Sequence, residues 1–238
     1  MIFFNKSNAF SLAETLITVM ILGILAAIMV SNLIESYQKN QTITKLKKIY
    51  ADINQAIDIS VIENGSVDTW QGTAQEKIRD YIIPYFRVEE VLTMPESRRK
   101  SGNKFYQISG QQETDLAIIK GSVDNSALAI YLKNGTQIWI SLNTVMITFY
   151  VDLNGPKKPN TFGKDMFIFV YYINENIFDF NSRCDGETEY IKGSAEELKN
   201  GRCSLNYLNY QCNKYGRGMW CGALIEASGW QFPKDYPW

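Results

Sequence analysis

A single acidic residue lies inside a long apolar stretch near the start of this chain. Residues 10–30 read FSLAETLITVMILGILAAIMV, and Glu14 is the only formally charged side chain among them. The stretch has about the ~20 residues that an α-helix needs to cross a bilayer. A carboxylate in hydrocarbon costs about 2.5–3.5 kcal/mol on insertion scales. We therefore expect a membrane-spanning helix in which Glu14 has a functional partner.

The residues in front of this stretch predict a cleavage site. Residues 1–9 read MIFFNKSNA, carry Lys6 and end in the small residue Ala9. A secretory signal places its small-residue cleavage site after the apolar core, whereas here the small residue comes before it. Cleavage after Ala9 would leave the apolar helix on the mature protein, with Phe10 as the new N-terminal residue.

This arrangement resembles the signal of type IV prepilins and type II secretion pseudopilins. The match covers the run GILAAI over residues 23–28 and five single residues, Ala9, Phe10, Ser11, Leu12 and Glu14. The resemblance implies that a prepilin peptidase cuts before Phe10 and methylates the new amine, and that Phe10 and Glu14 act in assembly with other subunits. Those proteins usually carry Gly before the cut, where this chain has Ala9. The alternative is a plain signal anchor that is not processed.

Composition is typical of an exported globular domain. Removing the leader and the apolar stretch leaves about 200 residues, enough for one sizeable core. Lys plus Arg number 24 and Asp plus Glu number 25, so we expect no nucleic-acid surface. Histidine is absent, which removes the commonest general base. We predict a non-enzymatic protein with a leader (1–9), a transmembrane and assembly segment (10–31) and an exported domain (32–238).

All four cysteines lie in the last quarter of the chain, at Cys184, Cys203, Cys212 and Cys221. An even number beyond an export signal predicts two disulfides, with three connectivities open. A four-cysteine zinc site is the alternative, and it is disfavoured because no C-x-x-C pair occurs. Our working hypothesis pairs near neighbours, Cys184 with Cys203 and Cys212 with Cys221.

Hydrophobic periodicity predicts an α+β fold, in which a long N-terminal helix packs on an antiparallel sheet. Apolar residues recur at three- to four-residue steps through the second half of the helix, at Leu46, Ile49, Ile53, Ile57 and Val61. The pair Asn64-Gly65 indicates its end. Strands are predicted over residues 104–108, 127–132, 137–142, 145–153 and 166–173, with a hairpin turn at Asn134-Gly135. The resemblance implies the same architecture.

The other segments carry weaker signals. We predict short helices within residues 73–91, broken by Pro84, and an exposed charged loop over residues 95–103. A short helix is expected over residues 223–227. The C-terminal tail should then pack on the body through aromatic side chains, which dominate burial energetics. These are Trp230, Phe232, Tyr236 and Trp238.

An oxygen-rich segment, VDLNGPKKPNTFGKDMF over residues 151–167, lies between the last two predicted strands. Asp152 and Asn154 are spaced like the first two ligands of a calcium loop, and Asn160 and Asp165 can complete it. The segment resembles the calcium-binding loop of major type II pseudopilins, although the bidentate glutamate of an EF-hand is missing. The alternative is an Asx-turn without metal.

These features predict a structural subunit of a type IV pilus-like or type II secretion pseudopilus filament. We expect a single-pass protein of the bacterial inner membrane, with the globular domain outside the cytoplasm before assembly. The calcium loop favours a pseudopilin, and the cysteines favour a pilin. The alternative is a signal-anchored ligand-binding module, periplasmic or extracellular, that does not polymerise. That alternative predicts an uncut leader and indifference to Glu14.

Overall fold

A long helix and a six-stranded sheet are the main elements of the computed structural model, which describes residues 11–101, 104–181, 183–185, 190–201 and 209–238. The helices are α1 (Leu12–Asn64), α2 (Ala74–Lys77), α3 (Met94–Ser101), α4 (Ala117–Lys120), α5 (Ala195–Asn200) and α6 (Cys221–Ala227). Between α2 and the first strand the chain forms a π-helical turn (Ile78–Ile82) and a 3₁₀ turn (Ile83–Tyr85); another 3₁₀ turn (Val67–Thr69) precedes α2.

The strands form one large sheet and two small ones. The strands are β1 (Val88–Thr93), β2 (Phe105–Tyr106), β3 (Gln112–Glu113), β4 (Ala127–Leu132), β5 (Gln137–Leu142), β6 (Met146–Asp152), β7 (Met166–Tyr172), β8 (Ile177–Phe180), β9 (Arg183–Asp185) and β10 (Tyr190–Lys192). The large sheet has the order β1-β4-β5-β6-β7-β8. All of its pairs are antiparallel. The strands β4 to β8 therefore form a meander.

The chain divides into two compact units, residues 1–41 and residues 42–238. In the first unit, α1 presents exposed apolar side chains, such as Leu16 at 64% and Met20 at 68% exposure. In the described part of the chain it is the one helix long and apolar enough to span a membrane.

In the second unit, the end of α1 covers one face of the large sheet. Leu46, Ile49, Ile53 and Ile57 are buried in one cluster with sheet residues such as Phe149. This is the stripe that the three- to four-residue spacing predicts. The helix ends at Asn64, and Gly65 follows with a φ of 81°, a conformation that glycine adopts without a steric penalty.

The opposite face of the sheet is covered as well. Trp139, Ile168 and Val170 point to this face and are buried with Met94 of α3 and Leu116, next to α4. Because both faces are buried, every residue of β4 and β7 is buried. The strands thus read as continuous apolar runs with few polar interruptions.

The predicted α+β architecture is confirmed, and so are several local features. Strands β4 and β5 have the predicted bounds, and the turn between them contains Gly135 with a φ of 86°. Helix α6 includes the predicted residues 223–227. The C-terminal tail packs as predicted: the Trp230 ring lies 5.5 Å from that of Tyr50, and Tyr236 is 8% exposed.

Three local predictions were wrong. Residues 95–101 belong to α3 rather than to an exposed loop, and residues 102 and 103 lie outside the described residues. The charges misled the prediction, because a capping motif starts this helix: the Thr93 N–H donates to Glu96 Oε2 at 2.9 Å. Strand β1 replaces the end of the predicted helical segment. The strand predicted over residues 104–108 is reduced to β2, which pairs with β3 outside the large sheet.

The stripe of α1 should dominate the stability of the second unit. Ile53 is 0% exposed and Ile62, on the same helix, is 82% exposed. Ile53→Ala should lower the free energy of unfolding by about 2–5 kcal/mol, because it leaves a cavity against the sheet. Ile62→Ala, which makes the same chemical change on the surface, should stay within about 0.5 kcal/mol of the wild type. Urea unfolding of the detergent-solubilised chain measures both, and equal losses would contradict the packing.

Candidate assembly residues and cation site

Glu14 lies at the start of α1 and is bonded to Ser11. The Ser11 N–H donates to Glu14 Oε2 at 2.8 Å, and the Glu14 N–H donates to Ser11 Oγ at 3.2 Å. These reciprocal bonds form a capping box, which satisfies two backbone donors that the first turn would leave free. Such donors are costly in lipid. Within one subunit the Glu14 carboxylate therefore completes the helix start.

The other polar side chains at this end of the helix bond to their own backbone. Thr15 Oγ1 donates to the Ser11 carbonyl at 2.9 Å, and Thr18 Oγ1 donates to the Thr15 carbonyl at 2.9 Å. These threonines carry no charge, and Glu14 is the only formally charged side chain of the described apolar segment. The predicted processing residues Ala9 and Phe10 lie outside the described residues.

One of the hypothetical disulfides is present. Cys212 and Cys221 are joined, with their Cα atoms 4.8 Å apart. This bond excludes a four-cysteine zinc site, because it consumes two of the thiols. Cys203 lies outside the described residues, as does the side chain of Cys184, so their pairing stays a prediction.

The structure brings the four predicted cation ligands together at the β6–β7 connection. Asn154 Nδ2 donates to Asp165 Oδ2 at 3.0 Å, and the Asn160 N–H donates to the same oxygen at 2.8 Å. The Thr161 N–H donates to Asp165 Oδ1 at 2.6 Å. Asp152 ends β6 and is 1% exposed, while Asp165 is 6% exposed. Two carboxylates are therefore buried in one short segment.

The surroundings of the two carboxyls disfavour their ionised forms. Burial, followed by the negative charge of Asp165, raises the pKa of the Asp152 carboxyl to about 8. Burial also raises the pKa of Asp165, against the opposing effect of the N–H groups of Thr161 and Asn160. Two buried acids side by side favour a proton or a cation.

Amide oxygens next to these acids have no hydrogen-bond partner among the described residues. They are Asn154 Oδ1 and Asn160 Oδ1, both buried. No group of three His, Cys, Asp or Glu side chains that could hold a metal occurs in the described residues. This cluster instead combines two carboxylates with two amides, a set of hard oxygens that fits Ca²⁺.

The Asx-turn that we considered as the alternative is also present. The Asn154 N–H donates to Asp152 Oδ1 at 3.1 Å. This bond occupies one carboxylate oxygen, but it does not account for the burial of Asp165 or for the unpartnered amide oxygens. The turn and a cation are therefore compatible, because a carboxylate oxygen has more than one lone pair.

Sequence analysis missed one polar pair on the same face of the sheet. Gln137 of β5 is directly opposite Asp152 in the register, and Gln137 Nε2 donates to Ser97 Oγ at 2.9 Å. Gln137 and Ser97 are both 0% exposed. The sequence signal for this pair is a glutamine at a strand position whose side chain, by alternation, lies on a buried face. The pair was not recognised because α3, which contains Ser97, was predicted to be an exposed loop.

A groove with a volume of about 610 Å³ lies between the second half of α1, residues 85–87 in front of β1, and the end of β4 with the turn that follows it. Its lining includes the cationic residues Lys48, Arg87 and Lys133 and one carboxylate, Asp52. Lys48 and Asp52 form an ion pair with each other at 2.7 Å. The groove is thus moderately cationic, with apolar walls from residues such as Phe86.

These elements define an α+β protein with one apolar N-terminal helix and a buried carboxylate-amide cluster. A family model matches residues 32–238, so the chain belongs to the family described as a family of unknown function, DUF6613. The residues that resemble the prepilin signal lie before the matched range. No curated protein and no solved structure matches the chain.

The buried acids should make stability fall as pH rises. The Asp152 carboxyl has an ordinary pKa of 3.8 and a folded-state pKa of about 8, so between these values the folded state binds more protons than the unfolded state. The free energy of unfolding in chelator should therefore drop from about pH 5 to about pH 8, by on the order of 2–4 kcal/mol from this group.

The variant Asp152→Asn should remove most of that drop, because an amide does not titrate. Asp58→Asn, at an exposed carboxylate of α1, is the matched control and should keep the wild-type slope. Urea unfolding at both pH values measures the difference. A wild-type slope retained in Asp152→Asn would contradict this electrostatic account.

Proposed function

We propose that this chain is a structural subunit of a type IV pilus-like or type II secretion pseudopilus filament. In this proposal a prepilin peptidase cuts after Ala9, and Phe10 becomes the methylated N-terminus. The single observation that carries the proposal is the exposed apolar segment of α1, with Glu14 at its start as the only charge. Such a surface requires lipid or other chains to cover it.

The subunit would occupy two environments in turn. Before assembly, the apolar segment lies in the inner membrane with the globular domain outside the cytoplasm. During assembly, the segments of many subunits leave the bilayer and bundle together. Lipid tails are as apolar as the helix, so packing and polar contacts must select the register.

Glu14 would select that register by pairing with the Phe10 amine of a neighbouring subunit. A carboxylate in an apolar bundle without a counter-charge is strongly unfavourable. The capping box with Ser11 uses the carboxylate as a hydrogen-bond acceptor, and no cationic side chain of the described residues forms an ion pair with its negative charge. That charge is what a neighbouring amine would neutralise, which gives Glu14 a role in docking.

The loop between β6 and β7 would bind calcium, as a structural cofactor of the same subunit. Asp152, Asn154, Asn160 and Asp165 would hold the ion, which supplies positive charge to two buried acids. The unpartnered buried oxygens of Asn154 and Asn160 support this assignment. Replacing the chelator by calcium should raise the unfolding midpoint at pH 8; an unchanged midpoint would remove the site.

A second function, binding of an anionic ligand by a membrane-anchored module that does not polymerise, is favoured by the groove described above. Arg87 and Lys133 contribute its net positive charge, because Lys48 is paired with Asp52. This alternative and the filament proposal differ at the other end of the chain. The binding module needs no processing and no charge at Glu14.

Variants of Glu14 separate the effect of charge from that of helix capping. Glu14→Leu removes both the charge and the acceptor, whereas Glu14→Gln keeps an acceptor for the Ser11 N–H. We expect both variants to insert in the membrane and neither to form filaments, since both lack the charge. Electron microscopy of sheared surface fibres and membrane fractionation measure the two properties.

Glu35→Gln is the matched control, because it removes an exposed carboxylate from the same helix beyond the apolar segment. Glu35 is paired only with Lys39 on the next turn among the contacts described, at 2.5 Å. This variant should assemble like the wild type. Normal filaments from Glu14→Gln would show that capping suffices, and would overturn the charge-pairing mechanism.

A further inference from the structure

Unpartnered buried oxygens gather around Asp152. In the described residues, five buried side-chain atoms lack a hydrogen-bond partner: Tyr131 Oη, Gln137 Oε1, Asn154 Oδ1, Asn160 Oδ1 and Gln211 Oε1. Four of the five lie near Asp152. Asn154 and Asn160 belong to the loop between β6 and β7 (the cation loop), and Tyr131 and Gln137 lie on the neighbouring strands in register with Asp152. Such atoms are rare in folded proteins, and a bound ion is one of the accepted explanations.

The sheet register places Gln137 beside the cation loop. Gln137 and Asp152 are direct partners in the β5–β6 pair. Directly opposed side chains share one face of the sheet, with Cβ atoms about 4.5–5.5 Å apart. Tyr131 is in turn the partner of Gln137 in the β4–β5 pair. A polar row thus crosses three strands and ends at the loop.

Ser97 sets the orientation of the Gln137 amide. Ser97 Oγ accepts hydrogen bonds from Gln137 Nε2 at 2.9 Å and from Trp139 Nε1 at 2.8 Å. Because the amide nitrogen is hydrogen-bonded to Ser97, Oε1 lies on the other side of the amide, and no donor among the described residues meets it. A buried amide oxygen with free lone pairs is a ligand that Ca²⁺ accepts.

We propose that Gln137 Oε1 is a ligand of the calcium ion, so that the site extends from the β6–β7 loop onto β5. This inference rests on the proposed calcium site. Calcium takes about six to eight oxygens, and the loop alone supplies four side chains. Gln137 adds a neutral fifth ligand, which leaves the two carboxylates to balance the charge of the ion. Ser97 is a positioning residue in this arrangement.

Calcium binding to the full chain in detergent, measured by calorimetry after removal of chelator, tests the proposal. Gln137→Leu deletes the ligand oxygen in a buried position and should weaken calcium binding by about tenfold or more. Gln211→Leu is the matched control, because Gln211 also has a buried, unpartnered amide oxygen but lies beside Gly201 and Gly216. Its affinity should equal that of the wild type.

A second variant covers the case in which Gln137→Leu fails to fold by circular dichroism. Gln137→Glu keeps an oxygen at the same reach and adds a negative charge, so it should bind calcium more tightly than the wild type. An unchanged or weaker affinity would overturn the role of Gln137.

The same binding measurements distinguish a failure of this inference from a failure of the calcium site itself. If the wild type binds calcium, and folded Gln137→Leu binds it as tightly as Gln211→Leu, the Gln137 inference is overturned and the loop site remains. No calcium binding by the wild type, with magnesium chloride as the comparison salt, would overturn both.

Discussion

Burial of the large sheet on both faces is the constraint on which the globular unit depends. The stripe of α1 around Ile53 covers one face, and α3 with its neighbours covers the other. Because both sides of β4 and β7 are dry, each polar group in them needs a partner inside the protein. Local features such as the capping of α3 matter for this reason: they bring Ser97 to the buried face.

The polar row ending at Asp152 is the exception in this apolar interior. Burial raises the pKa of Asp152 and of Asp165 in the adjoining loop, the charge of Asp165 adds to the effect on Asp152, and the amide oxygens of Gln137, Asn154 and Asn160 face no donor among the described residues. Buried polar groups without partners destabilise a core. A bound cation that prefers oxygen ligands would supply the missing partner, which is the basis of the calcium proposal and of its extension to Gln137.

Much of the fold was predictable from local patterns. The stripe of α1, the stop at Gly65 and the β4–β5 hairpin follow from periodicity and turn chemistry, which act over a few residues. The same holds for the grouping of Asp152 with Asp165, because both flank one connection between neighbouring strands. The spacing of the loop residues was sufficient to suggest candidate ligands.

The errors arose where tertiary contacts override local composition. The charged sequence around Arg98 suggested a solvated loop, yet its helix buries Met94 and Ser97. Strand β1 alternates half-buried and exposed residues at the sheet edge, with acidic residues that weaken a strand signal. The relation of Gln137 to Asp152 could not be recognised from the sequence, because it depends on strand register.

Within the described part of the chain, the apolar segment of α1 is an exposed run of large apolar side chains. The filament proposal explains both its composition and the charge of Glu14. The most direct test is intact-mass and N-terminal analysis of the protein from its native membrane. The account predicts a chain that begins at N-methylated Phe10. A chain that still begins at Met1 would contradict processing and assembly, and would leave a membrane-anchored domain.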